Sequence, residues 1–268
     1  MGKVIAFIMP DRCDALNYIE DNIDCEAAED YIFRKRSEGL KGFGMMHVMI
    51  AAYIRTVSQR PGINRFVRGQ KIYARNCVEV MLTIKREMKL NSPDTVLKMI
   101  FPPNATADDV YNIMTETINE SRNSQSDFDD TAKILNYIPR LVLKFAVWLL
   151  KLFDYFGLLP RKLTKLSPFH GSFAITSMAS LGIPPIYHHI YNFGNLPVFL
   201  AFGPKRSVNE LQRDGTVRTK KVVDYKIVTD ERICDGYYFA SALKYMRELY
   251  LHPERLDVPP ETVVEDVE

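Results

Sequence analysis

The chain has 268 residues, 47% hydrophobic and 25% charged, a globular composition that excludes collagen-like, low-complexity and disulfide-scaffold proteins. Its 35 basic and 33 acidic residues leave a formal net charge of +2, so there is no electrostatic reason to expect a nucleic-acid partner. The four cysteines are far apart and include no CxxC pair, which predicts free thiols in a reducing cytoplasm and no metal site.

Neither a secretion signal nor a membrane-spanning helix is predicted. The N-terminal apolar stretch is short and ends at Pro10 without a small-residue cleavage site. The longest apolar stretch, Leu141–Leu159, contains Lys144, Lys151 and Asp154. A charge at the centre of a span costs about 2.5–3.5 kcal/mol, which disfavours a transmembrane helix. We therefore expect a cytoplasmic protein.

The first half of the chain predicts helices around a pair of strands. Apolar residues spaced three and four apart predict a helix over Met45–Gln59. The segments Val78–Lys85 and Thr95–Phe101 are rich in β-forming residues and predict two strands joined by a hairpin-like loop. Thr106, with Asp109 three residues later, resembles a capping box at the start of a helix.

Two stretches of this half have less regular patterns. Tyr18–Phe33 mixes acidic and aromatic residues and gives no clear assignment. Asn119–Asp130 is polar and predicts a flexible surface loop.

The segment Tyr137–Leu166 combines a long apolar run with a narrow basic strip and contains the only tryptophan, Trp148. A helix of this kind is usually a buried core helix or an oligomer contact. The alternative is a helix that lies on a membrane surface, with Arg161, Lys162 and Lys165 supplying positive charge.

The second half predicts strands at Ser172–Ser177, Leu196–Phe202 and Thr216–Val228, with a break at Gly203-Pro204. A final helix is predicted over Gly236–Leu251. The remaining residues, 257–268, are acidic and predict a flexible tail.

Most catalytic signatures are absent from the sequence, which has no GxGxxG or GxxxxGK[ST] loop, no HExxH and no GxSxG elbow. The informative segment is Asp230–Gly236, where charged residues cluster between a predicted strand and the last helix. Such a junction is a plausible site, although an Arg–Asp pair that fixes a loop is the commoner explanation. The glycine at its end is expected to let the chain turn into the helix.

Several motifs resemble, in order, the catalytic core of dihydrolipoyl acyltransferases and the related chloramphenicol acetyltransferases. Glu231–Gly236 is similar to the family's His-Xaa-Xaa-Xaa-Asp-Gly signature, except at its first position. Gly171–Gly182 is similar to the family's Gly-Thr-Phe-Thr-Ile-Ser-Asn-Leu-Gly strand and turn, and Ile190–Asn192 stands where the family has Ile-Ile-Asn. Met46–Asn64 and Leu97–Pro102 also fit. The resemblance covers most of Met45–Leu251, but nothing in Asn119–Leu166 matches.

The resemblance implies an α/β (α+β) fold in which helices cover a mixed sheet as a two-layer sandwich. We expect one acyltransferase-like domain over residues 1–256, with an apolar helical insertion at about 131–166. The family usually forms trimers with active sites between subunits, where coenzyme A and an acyl acceptor meet in a channel. The lipoyl and subunit-binding domains of the dehydrogenase components, and hence a lipoyl attachment site, do not occur in this sequence.

The resemblance also implies roles for individual residues. The family's motif histidine is the general base, and here that position holds Glu231. Thr176 stands where the family has a hydroxyl that hydrogen-bonds the oxyanion. Asp235 and Arg232 are expected to pair structurally.

The resemblance also implies structural roles for Gly236 and Asn192, the other two matched positions at this site.

The glutamate at the base position is the main departure from the family. A free glutamate has a pKa near ~4.3, against ~6.5 for histidine, so Glu231 is a weak base unless burial changes it. A nearby histidine can substitute, and His188, His189 and His170 lie near matched motifs. On a strand the adjacent His188 and His189 would face opposite sides. Cys234 is expected to be inert, in a strand among apolar residues.

Two functions follow. The first is a coenzyme A-dependent acyltransferase that uses a thioester donor and an unidentified small thiol, hydroxyl or amine acceptor. The second is a catalytically inactive scaffold or acyl-coenzyme A-binding protein with the same fold. Membrane contact through Tyr137–Leu166 is compatible with both.

Overall fold

The structure is a computed structural model that describes residues 2–85, 94–123 and 139–266. Seven helices lie in this part of the chain: α1 (Gly2–Ile8), α2 (Glu26–Ser37), α3 (Met45–Gln59), α4 (Ala107–Asn123), α5 (Arg140–Phe156), α6 (Arg161–Leu166) and α7 (Gly236–Leu251). The strands there are β1 (Leu16–Asp24), β2 (Phe66–Arg68), β3 (Lys71–Tyr73), β4 (Val78–Lys85), β5 (Asp94–Phe101), β6 (Phe173–Ser177), β7 (Val198–Leu211) and β8 (Val217–Asp230).

Six strands form one mixed sheet in the order β1-β8-β7-β6-β4-β5. The short central strand β6 is parallel to both of its neighbours, β4 and β7, and the other pairs are antiparallel. Strands β2 and β3 form a separate small hairpin. The predicted mixed sheet covered by helices is confirmed.

The main core lies between one face of the sheet and the helices α2, α3, α4 and α7. Helix α3 is at its centre, because residues on all its sides from Val48 to Ser58 are buried. The opposite face of the sheet carries a smaller apolar cluster that includes Met81, Ala174 and Ile190. Since neighbouring residues of a strand face opposite sides, Ala174 and Thr176 share this second face.

Several predicted elements are confirmed with close boundaries. Helices α3 and α7 have the predicted ends. At the start of α4, the Thr106 backbone N–H donates to Asp109 Oδ2 at 2.9 Å, and the Asp109 N–H donates to Thr106 Oγ1 at 3.2 Å. This reciprocal pair is the predicted capping box.

The prediction of a break at Gly203-Pro204 is wrong, because β7 continues through both residues to Leu211. The pairing of β7 with β8 shifts register between Phe202 and Lys205, which marks an irregularity of the β-bulge type. A bulge accommodates a proline that cannot donate a ladder hydrogen bond. A Cβ on Gly203 would lie 2.7 Å from Pro185 Cδ, so the close approach of the loop before β7 also requires a small residue.

Other predictions differ in extent or fall partly outside the described residues. The unassigned Tyr18–Phe33 contains most of β1 and the first part of α2. Helix α4 runs to Asn123, into the predicted loop Asn119–Asp130, whose remainder lies outside the described residues. The predicted loop between β4 and β5 and the first residues of the predicted insertion also lie outside them.

The segment after residue 256, predicted as a flexible acidic tail, packs against α2 and α3 as far as it is described. Asp257 accepts hydrogen bonds from Tyr31 at 2.7 Å and pairs with Lys35 Nζ at 2.7 Å. The Val264 backbone N–H donates to Ser58 O at 2.8 Å. An acidic residue of this segment therefore forms an ion pair with a basic residue of α2, an interaction that the sequence analysis did not predict.

Within the predicted insertion, α5 and α6 are two helices joined by a short turn. No helix among the described residues is long and apolar enough to cross a membrane. Most side chains of α5 are exposed, and Asp154 is its one buried residue.

Candidate active site

The predicted motif begins where β8 ends, and a buried cluster of three charged residues lies there. Asp230 Oδ2 accepts from Arg12 Nε at 3.2 Å and from Arg232 Nη2 at 2.8 Å, and its Oδ1 accepts from Arg232 Nε at 2.8 Å. All three side chains are almost completely buried. Removing the carboxylate from such a cluster leaves two buried guanidinium groups without a counter-ion, which is strongly destabilising.

The same cluster fixes the N-terminal segment over the motif. Arg232 Nη1 donates to the carbonyls of Met9 and Pro10 at 3.1 and 3.0 Å. Arg12 donates to the carbonyls of Tyr191 and Gly194 at 2.8 and 2.6 Å. Burial lowers the pKa of Arg12, and Asp230 partly opposes this effect. The cluster therefore joins three parts of the chain that are far apart in sequence.

Asp235 does not pair with Arg232, so the predicted partner is wrong although both residues have structural roles. The Asp235 side chain instead accepts from the Tyr238 backbone N–H at 2.7 Å and caps α7. The expectation for Gly236 is also not met. It has no positive φ, and an added Cβ would meet nothing within 4 Å, so this turn does not require glycine.

Asn192 has a structural role at the same place. Its side-chain oxygen accepts from the Cys13 backbone N–H at 2.8 Å, and its Nδ2 donates to Asp11 Oδ1 at 3.1 Å. It ties the loop before β7 to the N-terminal segment. The prediction of a structural Asn192 agrees with these contacts.

Glu231 and Thr176 do not meet within one protomer. Glu231 is exposed in a 3-10 turn directly after β8, whereas Thr176 is nearly buried on the central strand β6. Thr176 of β6 pairs with Ala201 of β7, and Ala201 pairs with Lys226 of β8. Lys226 comes five residues before Glu231 along the chain. That offset is roughly 17 Å along the strand, with two interstrand spacings across. Among the described residues, the Thr176 hydroxyl has no hydrogen-bond partner.

His188 and His189 lie in an irregular segment between β6 and β7, so the alternation of a strand does not apply to them. The half-buried His188 ring stacks on Phe199 with centroids 4.5 Å apart, and burial lowers its pKa. His189 is exposed and contacts the Tyr191 ring edge-to-face at 4.5 Å. Neither histidine contacts Glu231.

His189 also lines a cavity of about 260 Å³ on the second face of the sheet. Ala174 and Phe199 form part of its floor. Because Thr176 follows Ala174 by two residues on the same face, His189 and Thr176 share this side of the sheet. The structure therefore places these two predicted residues on the same side of the sheet, and Glu231 in the turn after β8.

A buried Asp154–His170 pair is the main feature that the sequence prediction missed. His170 lies in the loop before β6 and is 2% exposed, with Nε2 3.0 Å from Asp154 Oδ1 and Nδ1 2.7 Å from Ser167 Oγ. Asp154 Oδ2 accepts from the Gly194 N–H at 2.9 Å. Burial opposes ionisation, but the contacts with His170 and Gly194 hold the pKa of Asp154 below its ordinary value.

This pair anchors α5 to the loop before β7. Ser167 Oγ also accepts from the Phe169 N–H at 3.2 Å, in a local turn. The sequence signal that could have identified the Asp154–His170 pair was Asp154 itself, a single acidic residue within an otherwise apolar and basic helix. Cys234 lies outside any strand, before α7, and burial raises its pKa to about 12, so it stays a neutral thiol.

A second cavity of about 260 Å³ opens beside the charged cluster and is rich in cations. Its basic lining residues are Arg12, Arg68, Lys151 and Arg232. Arg12 and Arg232 already form ion pairs with Asp230. Lys151 is exposed, and Arg68 Nη2 lies 3.5 Å from Asp154 Oδ1. Such a cleft can hold an anionic group such as a phosphate. No group of residues within the described parts of the chain is arranged to bind a metal ion.

Comparisons with known proteins agree on the fold. No protein-family profile matches the chain, and no curated protein matches its sequence. A probable dihydrolipoamide acetyltransferase of Listeria monocytogenes is similar in structure, with a TM-score of 0.62, 14% identity and coverage of 93% of this chain and 91% of that one.

Two further structures are similar over most of both chains. The cubic core of a pyruvate dehydrogenase multienzyme complex has a TM-score of 0.59 at 11% identity, covering 96% of this chain and 91% of that one. A chloramphenicol acetyltransferase has a TM-score of 0.51 at 13% identity, with 91% and 92% covered. The chain thus has the fold shared by dihydrolipoamide acetyltransferase cores and chloramphenicol acetyltransferase, as its motifs predicted.

Proposed function

We propose that the protein is a coenzyme A-dependent acyltransferase whose active site forms between the subunits of a homotrimer. The observation that carries this proposal is the position of Glu231, at the strand end where the resembling family has its base. The fold and the ordered motifs support the general class. The acceptor is a small thiol, hydroxyl or amine.

In the proposed reaction, Glu231 removes the proton from the acceptor as the acceptor attacks the thioester carbonyl. The Thr176 hydroxyl donates a hydrogen bond to the oxyanion that develops on the carbonyl oxygen. When the tetrahedral intermediate collapses, the carbon–sulfur bond breaks and the proton held by Glu231 passes to the coenzyme A thiolate. The products are the acylated acceptor and free coenzyme A.

The separation of Glu231 and Thr176 supports a site shared by two subunits. Within a protomer the exposed carboxylate and the unpaired hydroxyl are too far apart to act on one carbonyl. A neighbouring subunit would bring a second copy of Thr176 towards Glu231. It would also remove the Glu231 carboxylate from water, which makes a carboxylate a better proton acceptor.

The cationic cleft is the part of the described chain best suited to the phosphates of coenzyme A. It is lined by Arg232, the residue next to Glu231, and it includes the two less committed cations Arg68 and Lys151. Basic side chains bind phosphate oxygens by charge-assisted hydrogen bonds. This arrangement would place the anionic part of the donor beside the motif.

The second candidate is a non-catalytic acyl-coenzyme A-binding scaffold. The exposure of Glu231 favours it, because an exposed glutamate is a weak base. None of the three predicted histidines replaces it, since His188 and His189 contact Phe199 and Tyr191 and His170 is paired with Asp154. The two candidates share donor binding and differ in turnover.

Turnover separates the candidates. The protein is incubated with acetyl-coenzyme A and a panel of dihydrolipoamide, alcohols and amines, and acetylated product is measured by mass spectrometry. Glu231→Gln is expected to reduce the rate by about 10²–10⁴-fold. The exposed helix residue Glu116, changed to Gln, is the matched control and keeps the wild-type rate. Full activity of Glu231→Gln contradicts its role as base, and no product with any acceptor favours the scaffold.

A further inference from the structure

Helix α5 presents its apolar side to solvent, the reverse of an ordinary surface helix. At 3.6 residues per turn, Arg140, Lys144, Lys151 and Asp154 project from about a quarter of its circumference. The C-terminal part of this strip faces the protein, because Lys151 and Asp154 line the cationic cleft. A surface helix usually turns its apolar side to the core. Here the C-terminal part of the charged strip faces the protein instead.

The outward side of α5 is large and aromatic. Leu141 is 81% exposed, Phe145 61% and Trp148 55%, and the neighbouring large residues Val142, Leu152, Phe153 and Phe156 are also exposed. Among the described residues, the side-chain hydrogen bonds between α5 and other elements come from its last turn, at Asp154 and Tyr155. Most of the helix therefore stands clear of the body.

The segment formed by α5 and α6 is strongly basic as a whole. Residues 139–167 contain six basic side chains, all exposed: Arg140, Lys144, Lys151, Arg161, Lys162 and Lys165. Their one acidic residue is the buried Asp154. A helix with exposed aromatic and aliphatic residues beside basic ones is typical of elements that lie in the interface of an anionic bilayer.

A two-fold contact between two copies of this surface is a poorer explanation of its exposed apolar side. In a two-fold symmetric contact the patch meets itself, so six basic residues on one copy would approach six on the other. The charges favour a negatively charged partner. The exposed apolar area favours a partner into which aromatic side chains insert without shape complementarity.

We propose that α5 and α6 form an anionic-membrane-binding element, with α5 lying parallel to the bilayer surface and its outward side in the headgroup region. The helix is about 25 Å long, and it binds on the surface rather than across the bilayer. The inference does not depend on the acyltransferase proposal.

The test uses the fluorescence of Trp148, the only tryptophan of the chain. The full-length protein is titrated with vesicles of phosphatidylcholine alone and of equal parts phosphatidylcholine and phosphatidylserine. The anionic vesicles are expected to shift the emission to the blue, and the shift weakens as salt rises. Removing the charges of Arg161, Lys162 and Lys165 as glutamines is expected to weaken binding about fivefold for each charge.

Phe145→Glu is expected to abolish the shift, while Leu211→Glu, at an exposed leucine of β7, is the matched control and keeps it. Circular dichroism verifies that each variant is folded. The proposal is overturned if anionic vesicles leave the emission unchanged. It is also overturned if the emission is already blue-shifted without lipid in a concentration-dependent way that Phe145→Glu removes, because a second copy then covers the helix.

Discussion

At the scale of single residues, burial decides what an ion pair contributes. Strand β8 carries two aspartates that each pair with arginine. Asp230 is 1% exposed and has two buried arginine partners, whereas Asp224 pairs with Arg206 on the exposed part of the β7–β8 hairpin. Removing one member of a buried ion pair leaves an uncompensated charge, while exposed pairs contribute little.

Asp230→Asn is therefore expected to lower the free energy of unfolding by about 3–5 kcal/mol, because Arg12 and Arg232 remain buried without their carboxylate. Asp224→Asn on the same strand is expected to lower it by less than about 1 kcal/mol. Urea unfolding followed by circular dichroism measures both. Equal losses in the two variants would contradict the structural role assigned to the cluster.

Side-chain partners were the least predictable part of this site. The resemblance to the acyltransferase family implied that Arg232 and Asp235 pair, but Arg232 pairs with Asp230 and Asp235 caps α7. The choice depends on Arg12, which is 218 residues away from Asp230 in the chain. No local pattern contains that information.

At the scale of elements, helix boundaries were more predictable than strand lengths. The signals that predict α3 and α7 are local in the sequence, namely the spacing of apolar residues and the residues next to each end. Both helices were therefore predicted with their observed ends. Strand β7 runs nine residues beyond Phe202 because β8 pairs with it across a register shift. Such pairing is a long-range property that strand propensity does not report.

The start of α3 contains a half-buried histidine, His47, that makes stability depend on pH. Burial lowers the pKa of His47 to about 4, and its Nδ1 accepts from the Gly44 N–H at 3.0 Å. In the unfolded chain the pKa of histidine is near ~6.5, so below that value the unfolded state binds a proton that the folded state does not. The stability from neutral His47 is present above pH ~6.5 and is lost as pH falls towards 4.

His47→Gln retains a side-chain acceptor at the same position but does not titrate. The wild type is expected to lose on the order of 3 kcal/mol more than this variant between pH ~6.5 and ~4. Chemical unfolding at several pH values gives the difference. Parallel curves for the two proteins would show that His47 does not cause the acid sensitivity.

At the scale of the whole molecule, the fold was predictable from ordered motifs while the assembled site was not. The motifs around Thr176 and Glu231 indicated the correct architecture, but the two residues lie far apart in one protomer. We therefore predict that the protein is a homotrimer, with a mass in light scattering close to three times the 30.9 kDa of one chain. A monomeric mass would contradict the proposed shared site.

A shared site also predicts complementation between two inactive variants. Thr176→Val removes the hydroxyl and is expected to reduce turnover by about 10²–10³-fold. Mixed trimers of Glu231→Gln and Thr176→Val chains are expected to regain about a third of the wild-type sites, because one of their three interfaces joins two intact residues. Co-expression with different affinity tags isolates these trimers. No recovery would place both residues in the same subunit's site or outside the site altogether.

Binding of acetyl-coenzyme A to the wild-type protein tests the central claim most directly, because it requires no knowledge of the acceptor. Isothermal titration calorimetry at neutral pH and moderate salt measures it. The account predicts a saturable heat with a micromolar Kd. No binding at millimolar acetyl-coenzyme A would contradict the account and would mean that this acyltransferase fold serves another purpose.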